Sequence, residues 1–470
     1  MRIDRFRMER TQSLYENAVR YNLSESGVEP LRVEELLESE GDRTRLLQQP
    51  LKYPESNGSQ LLRERIALLY PGAAADNVLV TTGTSEANYT ALWGLLEAGD
   101  RAAVMLPTYM QAWGLARAYG GRADAYRLVE RGRGSERRWA LDVASLRRAV
   151  TKRTRLIMVT NPNNPTGAVL TEEEMDEIVA AARRVKAWIV SDEVYRGAEV
   201  GSDTMSPTFW GRYSKVLITS GLSKAFGLPG LRIGWIAGPA REIGRLWSYQ
   251  DYTTLTPSML SDRLARAALD PQRREEILAR TRRIIRENLP RVQAWIGSNA
   301  EVFGSIAPVA GAIALVKYRL PIGSVALFDR LRLEESVLVT PGAHFGIGKY
   351  FRVGFGYDVD RTLEGLARIQ AFRRPRRRGR AAPQVWAGRA RGGFGGGWPS
   401  AERSPEPLPW RIPRSYPRRN ASEFAVSPNR SRNARWRAAY EAPRSSGWSA
   451  ATKPRRYASS PASKSPPAAE

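Results

Sequence analysis

The chain has 470 residues, 42% hydrophobic and 26% charged, with no cysteine and a single histidine, His344. That composition can bury one or two substantial cores. It excludes disulfides, thiolate metal sites, a cysteine nucleophile and any metal site or triad built on histidine. The formal charge of +25 is uneven: residues 371–470 hold 22 of the 73 Lys and Arg but 5 of the 48 Asp and Glu, a net +17, which leaves +8 for residues 1–370.

The opening stretch, MRIDRFRMERTQSLYENAV, is too charged for a secretory signal. No apolar run approaches the roughly 20 residues of a membrane-crossing helix, so a soluble cytoplasmic protein with no membrane contact is expected. Further on, short apolar runs alternate with helix-like segments. Strands are expected at 77–80 (NVLV), 102–106 (AAVML), 155–160 (RLIMVT), 188–191 (WIVS), 216–219 (VLIT) and 232–238 (RIGWIAG). Helical patterns lie between them at 85–99, 109–120 and 171–185. Strands buried on both faces and separated by helices imply an α/β fold with a mostly parallel, doubly wound sheet.

After Ser248 the pattern changes. A long helical region spans about 257–296, strands follow around GAIALVKYRL and YFRVGFGY, and RTLEGLARIQAFRR reads as a closing helix. The expected organisation is a large domain over 48–256 and a smaller α+β domain built from 1–47 and 257–372. A disordered tail of Arg, Pro, Gly and Ser is expected over 373–470, where no apolar period could offset the entropy of ordering. The tail reads either as a basic tether for nucleic acid or a membrane surface, or as an extension without a role.

The chemically distinctive residues fall at strand ends, where open α/β sheets bind ligands. After NVLVT come Gly83, Thr84 and Ser85, opening a helix whose N-terminus suits a phosphate, although Ser85 also fits an ordinary N-cap. After AVML comes Tyr109, placed either to stack on a planar ligand or to fill a core. RLIMVT ends in the Asn/Pro/Gly turn NPNNPTG, containing Asn164. WIVSDEVY sets Asp192 at the end of a buried strand, with Tyr195 three residues on; a carboxylate there needs a cationic or hydrogen-bonding partner. Lys224 follows VLIT, and Arg232 comes eight residues later. One ligand unites these positions: pyridoxal 5′-phosphate, its aldehyde on Lys224, its ring nitrogen facing Asp192, Tyr109 stacked on it, and its phosphate at Gly83, Thr84, Ser85 and Arg232.

The segments NPNNPTG, SDEVY and SKAFGLPGLRIGW, in that order, resemble the signature motifs of the class I/II aminotransferases, the fold type I pyridoxal-phosphate enzymes typified by aspartate aminotransferase. The resemblance covers about residues 20–372. It implies that Lys224 anchors the cofactor covalently and then moves protons, and that Asp192 keeps the pyridine nitrogen protonated so that the ring acts as an electron sink. Tyr195 and Asn164 would donate to the ring's phenolate oxygen, and Arg232 would pair with the phosphate. YPESNG resembles the segment whose tyrosine, here Tyr53, reaches the partner subunit's phosphate in a homodimer. YFRVGFG resembles the segment whose arginine, here Arg352, grips the substrate α-carboxylate. Gly27 would lie where the N-terminal segment covers the substrate. One departure stands out: the family usually carries a phosphate-binding hydroxyl three residues before the lysine, and this chain has Gly221, so that hydrogen bond is either missing or supplied by Ser223 or a backbone N–H. His344 fits either a structural or a substrate role.

The implied reaction is ping-pong transfer of an amino group between an amino acid and a 2-oxo acid, with no metal. Tyr15, Trp113 and Trp235 would suit an aromatic or large apolar substrate, or a core. Elimination, cyclisation or oxidation on the same cofactor is the alternative. A more remote one is a nucleic-acid-associated protein that senses pyridoxal phosphate.

Overall fold

The computed structural model describes residues 3–37 and 39–372, which lie within one compact unit. The tail expected from 373 onward falls outside them. In chain order, helix α1 (Arg7–Tyr15) and a short strand β1 (Tyr21–Asn22) come first. Eight strands then form the central sheet: β2 (Val78–Thr81), β3 (Arg101–Leu106), β4 (Arg122–Arg131), β5 (Arg138–Leu141), β6 (Thr154–Thr160), β7 (Trp188–Asp192), β8 (Val216–Gly221) and β9 (Gly234–Ala237). Their spatial order is β2-β9-β8-β7-β6-β3-β4-β5.

Strands β3, β4, β6, β7 and β8 pair in parallel. β9 runs antiparallel to both β2 and β8, and β5 antiparallel to β4. The sheet is therefore mixed: the mostly parallel arrangement is present, with β9 and the edge strand β5 reversed. Successive side chains point to opposite faces of a strand, and here both faces are covered. Val78, Val80, Ile157, Val159 and Ile218 enter one core, while Leu79, Met158 and Leu217 enter the other. That is why these strands read as unbroken apolar runs. The helix Thr84–Leu95 sends Ala87, Ala91 and Leu92 into the second core, and Glu172–Val185 sends Met175 and Ile178 into the first.

The remaining strands are β10 (Phe303–Ser305), β11 (Ile313–Tyr318), β12 (Val337–Leu338), β13 (Thr340–Pro341) and β14 (Tyr350–Gly354). They give an antiparallel sheet in the order β10-β11-β14-β13, while β1 pairs in parallel with β12. The helical region expected over 257–296 is two helices, Met259–Ala268 and Pro271–Gly297. Asp270 breaks it, because its side chain caps the second helix by accepting from the Gln272 N–H at 3.3 Å and Pro271 takes the first helical position. Among the described residues no helix is long and apolar enough to cross a membrane, and no group of acidic or histidine side chains could hold a metal ion.

Candidate active site

The carboxyl ends of β2, β6, β7 and β8 face a cavity of about 420 Å³. At one end, the chain leaves β2 through Gly83, at φ +81°, and enters the helix Thr84–Leu95. A side chain on Gly83 would collide with the Arg232 guanidinium, which lies over it. Arg232 is itself left-handed, at φ +51°, where it closes the 3-10 turn Pro229–Leu231. A cation, a helix N-terminus with free N–H groups and the hydroxyls of Thr84 and Ser85 thus converge on one place, the chemistry of an anion site.

The departure at Gly221 has a steric reason. A Cβ there would lie 2.5 Å from Thr84 Oγ1 and 2.8 Å from the Ile233 carbonyl. The Thr84 hydroxyl occupies that room, is buried, and has no hydrogen-bond partner.

At the other end stands Lys224, whose Nζ donates to Ser26 Oγ at 2.9 Å and whose stem packs against Gly27. Enclosure lowers the Lys224 pKa; nearby Glu25 pulls it back up and Arg352 pushes it down further. Asp192 closes β7 with its carboxylate in the cavity, accepting from Asn88 Nδ2 at 3.0 Å and from the Val194 N–H at 3.2 Å. Asn88 is fixed in turn by Thr219, whose hydroxyl donates to its Oδ1 at 2.6 Å. Burial raises the Asp192 pKa, against the lowering effect of these donors and of Lys224. A carboxylate held this way gains from a positive partner.

The Tyr195 hydroxyl is buried without a partner at hydrogen-bonding geometry. Burial pushes it up to about 12, with Arg352 and the nearby Ser26 hydroxyl acting in the opposite direction. Asn164 Oδ1 accepts from Arg352 Nη1 at 2.9 Å. Tyr109 donates to Glu9 Oε1 at 2.9 Å and meets Phe6 edge-on at 4.8 Å between ring centroids.

Lys224, Asp192, Tyr195, Asn164 and Arg232 line this cavity together, as do Thr84, Ser85, Tyr109 and Ser223. Gly83 and Gly27 are not in its lining: Gly83 lies against the Arg232 guanidinium, and Gly27 against the Ser223 carbonyl and the Lys224 stem. Arg352 lies behind Asn164, 1% exposed, with Nη2 donating to the Ser24 carbonyl and to Thr340 Oγ1. Tyr53 stands outside the cavity, 82% exposed. His344 is buried on a 3-10 turn and is not in the cavity lining, its pKa lowered by burial and by Arg7 to about 4. The three aromatics read from the sequence are elsewhere: Trp235 is core and donates to Tyr70, Tyr15 packs on Phe328 and Arg332, and Trp113 packs against the second core. Sequence reasoning missed Asn88 and Ser26, and it missed the wall that α1 supplies through Phe6, Met8, Glu9 and Gln12. A polar residue on the buried face of an apolar helix was the available signal for Asn88.

These groups fit pyridoxal 5′-phosphate. The orphaned Thr84 and Tyr195 hydroxyls, the carboxylate awaiting a cation, and an amine with lowered pKa match its phosphate, phenolate oxygen, ring nitrogen and aldehyde in turn. Fold and site define a pyridoxal-phosphate-dependent enzyme. Residues 21–369 match the family described as aminotransferase class I and II, and the chain belongs to it. It is 30% identical to a capreomycidine synthase of Streptomyces vinaceus over 333 residues, 69% of this chain and 82% of that one. A PLP-dependent aminotransferase from Streptococcus suis shares 31% identity at a TM-score of 0.73, over 79% of this chain and 98% of the other. The PLP-dependent cyclase OrfR shares 26% at a TM-score of 0.70, over 79% and 97%.

Proposed function

We propose that this enzyme moves an amino group between an amino acid and a 2-oxo acid, with Lys224 as the group that carries the proton. The observation that carries the reading is the convergence of Lys224, Asp192, Tyr195, Asn164 and Arg232 on one cavity at the strand ends. Pyridoxal 5′-phosphate, when bound, supplies an aldehyde that takes up the amine and a ring that makes the amino acid's Cα–H acidic.

The rest of the work belongs to the chain. Arg232, Thr84, Ser85 and the helix N-terminus would hold the phosphate, with Ser223 beside them. Asp192 would keep a proton on the ring nitrogen, oriented by Asn88. Tyr195 and Asn164 would donate at the ring oxygen, and Tyr109 would pack against the ring. Arg352 would grip the substrate α-carboxylate, a task suited to a planar guanidinium already aligned by Asn164. Lys224 Nζ, freed by the incoming amine, would take the proton from Cα and return it elsewhere; such positioned acid–base transfer is worth roughly 10²–10⁴-fold in rate. Gly27 would bring the N-terminal segment over the substrate.

We assign residues 48–256 to cofactor binding and residues 1–47 with 257–372 to a smaller domain. The pairing of β1 with β12 supports that grouping. A homodimer is supported by exposed apolar side chains: Leu47, Leu51, Tyr53, Tyr252 and Leu255 are more than half exposed. Contacts from Trp247 to Ser56 and from Arg263 to Gln49 bring the two stretches together. Tyr53 would then serve the partner subunit's phosphate. A cytoplasmic setting belongs to the same reading, since it offers the amino-acid and 2-oxo-acid pools the reaction needs.

The test is the visible absorbance of the purified holoenzyme on addition of amino acids. Conversion to the pyridoxamine form with release of a 2-oxo acid, lost in Lys224→Ala, is expected; a cofactor that no amino acid converts would refute transamination. A second reading, cyclisation of the amino acid, is favoured by the capreomycidine synthase and the cyclase among the similar proteins. It predicts a cyclic product with no 2-oxo acid and no pyridoxamine form.

A further inference from the structure

A second cavity, of about 240 Å³, lies where β4 and β5 meet β10, β11 and β14. It shares no lining residue with the cavity at Lys224, and the reaction proposed above uses none of its side chains. Its charged lining is Glu130, Arg137, Lys317 and Arg319, so three cations face one acid. Directly opposed residues of an antiparallel pair share a face, which sets Glu130 beside Trp139 and Lys317 beside Tyr350. Glu130 accepts from Arg137 Nη2 at 3.0 Å, from Lys317 Nζ at 3.4 Å and from the Tyr350 hydroxyl. Arg319 Nη1 donates to the Ala300 carbonyl at 2.6 Å.

One carboxylate does not exhaust these donors. An ammonium has three N–H groups and a guanidinium five. Arg137 and Lys317 are also well exposed where they meet Glu130. Exposed ion pairs are held weakly, so turning an N–H toward a new acceptor costs little.

An observation independent of the charges comes from Trp139. It is 5% exposed, lines the cavity, and packs against Tyr350 at 6.0 Å between ring centroids. Its indole N–H is buried and has no hydrogen-bond partner. Indole nitrogen is a donor and nothing else, so what it lacks is an acceptor, and buried donors rarely go without one. Val302, Ile306 and Leu315 give the same cavity an apolar side. A cationic ligand would be repelled here, and a neutral apolar one would leave the cations and the indole N–H unanswered.

We propose that this cavity is a second ligand site, for a small organic acid with an apolar body. Arg137 and Lys317 hold the carboxylate, the Trp139 N–H is a further donor, and Val302, Ile306 and Leu315 receive the apolar part. A few placed polar groups on an otherwise apolar wall are the usual make-up of a small-molecule site.

The test is calorimetric titration of the holoenzyme with benzoate, with benzyl alcohol as a neutral counterpart and inorganic phosphate as an anion without an apolar body. Benzoate should bind at least about 10-fold more tightly than either, the range of a charge-assisted hydrogen bond, and the margin over benzyl alcohol should shrink with added salt. Arg137→Gln and Lys317→Met, both at exposed side chains, should each weaken benzoate by about 10-fold. Trp139→Phe, which deletes the N–H and keeps a ring, should weaken it by a smaller factor. Amino-acid binding read from the cofactor's visible absorbance should be unchanged in Arg137→Gln and Lys317→Met, which separates this cavity from the one at Lys224. No benzoate binding, equal affinity for benzyl alcohol or phosphate, or an affinity that Arg137→Gln and Lys317→Met leave intact overturns the proposal.

Discussion

Replacing Gly221 by Ser would supply the phosphate-facing hydroxyl that this chain lacks three residues before Lys224, yet the geometry predicts a loss. The new Cβ would sit 2.5 Å from Thr84 Oγ1, 2.8 Å from the Ile233 carbonyl and 3.1 Å from Gly234 Cα. Ordinary contact begins near 3.4 Å, and backbone on two sides limits retreat. Overpacking of this kind costs about 1–3 kcal/mol, which urea unfolding of the apoenzyme should register. Thr84→Ala removes the hydroxyl that fills this room, and should weaken cofactor affinity about 10- to 100-fold if that hydroxyl meets the phosphate. The double variant Gly221→Ser/Thr84→Ala frees part of the space and restores a hydroxyl from the other side. Its affinity loss should fall short of the summed single losses by about 1 kcal/mol or more. Spectrophotometric titration of the apoenzymes with pyridoxal phosphate measures all four. Strict additivity, or a Gly221→Ser enzyme as stable and as tight-binding as the parent, would refute the idea that the two residues share one space.

Asn88→Ala removes a donor that holds the Asp192 pKa down, so that pKa rises, and the acid limb of the rate–pH profile should move to higher pH; an unmoved limb would mean that Asn88 does not support Asp192. Arg352→Lys loses the flat guanidinium and its bond to Asn164, and should raise KM for the amino donor about 10- to 100-fold with a smaller effect on kcat. His344, with its folded pKa near 4 against 6.5 for an ordinary histidine, binds its proton more readily in the unfolded chain. Its contribution to stability is therefore complete above about pH 6.5 and disappears as pH falls toward 4, up to about 3 kcal/mol. His344→Gln should flatten unfolding free energy across that window relative to the parent, and parallel pH profiles for the two proteins would contradict this.

Burial decided which elements were visible in the sequence. Strands with two covered faces, such as Leu156–Val159, are apolar throughout and visible as runs. β4 and β5 escaped notice because β4 is partly exposed along much of its length and carries Arg122, Arg127 and Arg131, and β5 lies at the sheet edge. The residues of the site were legible where chemistry demands a rare type at a strand end, as with Asp192, Lys224 and the Asn164 turn. Residues that position others were not: Asn88 and Ser26 are ordinary types whose roles exist only through contacts far along the chain. α1 was hidden by its arginines. Met8 is its one buried residue, and its inward face is largely polar, so no apolar stripe announced it.

That helix has a consequence for how one wall of the cavity could change. Phe6, Met8, Glu9 and Gln12 precede the segment matched by the family, which begins at Tyr21. The residues proposed to handle the reacting atoms and the cavity wall at α1 are thus separate stretches of the chain. Exchanging the nine-residue α1 and the residue before it would therefore change one wall of the cavity while Lys224, Asp192, Tyr195 and Arg232 stayed in place.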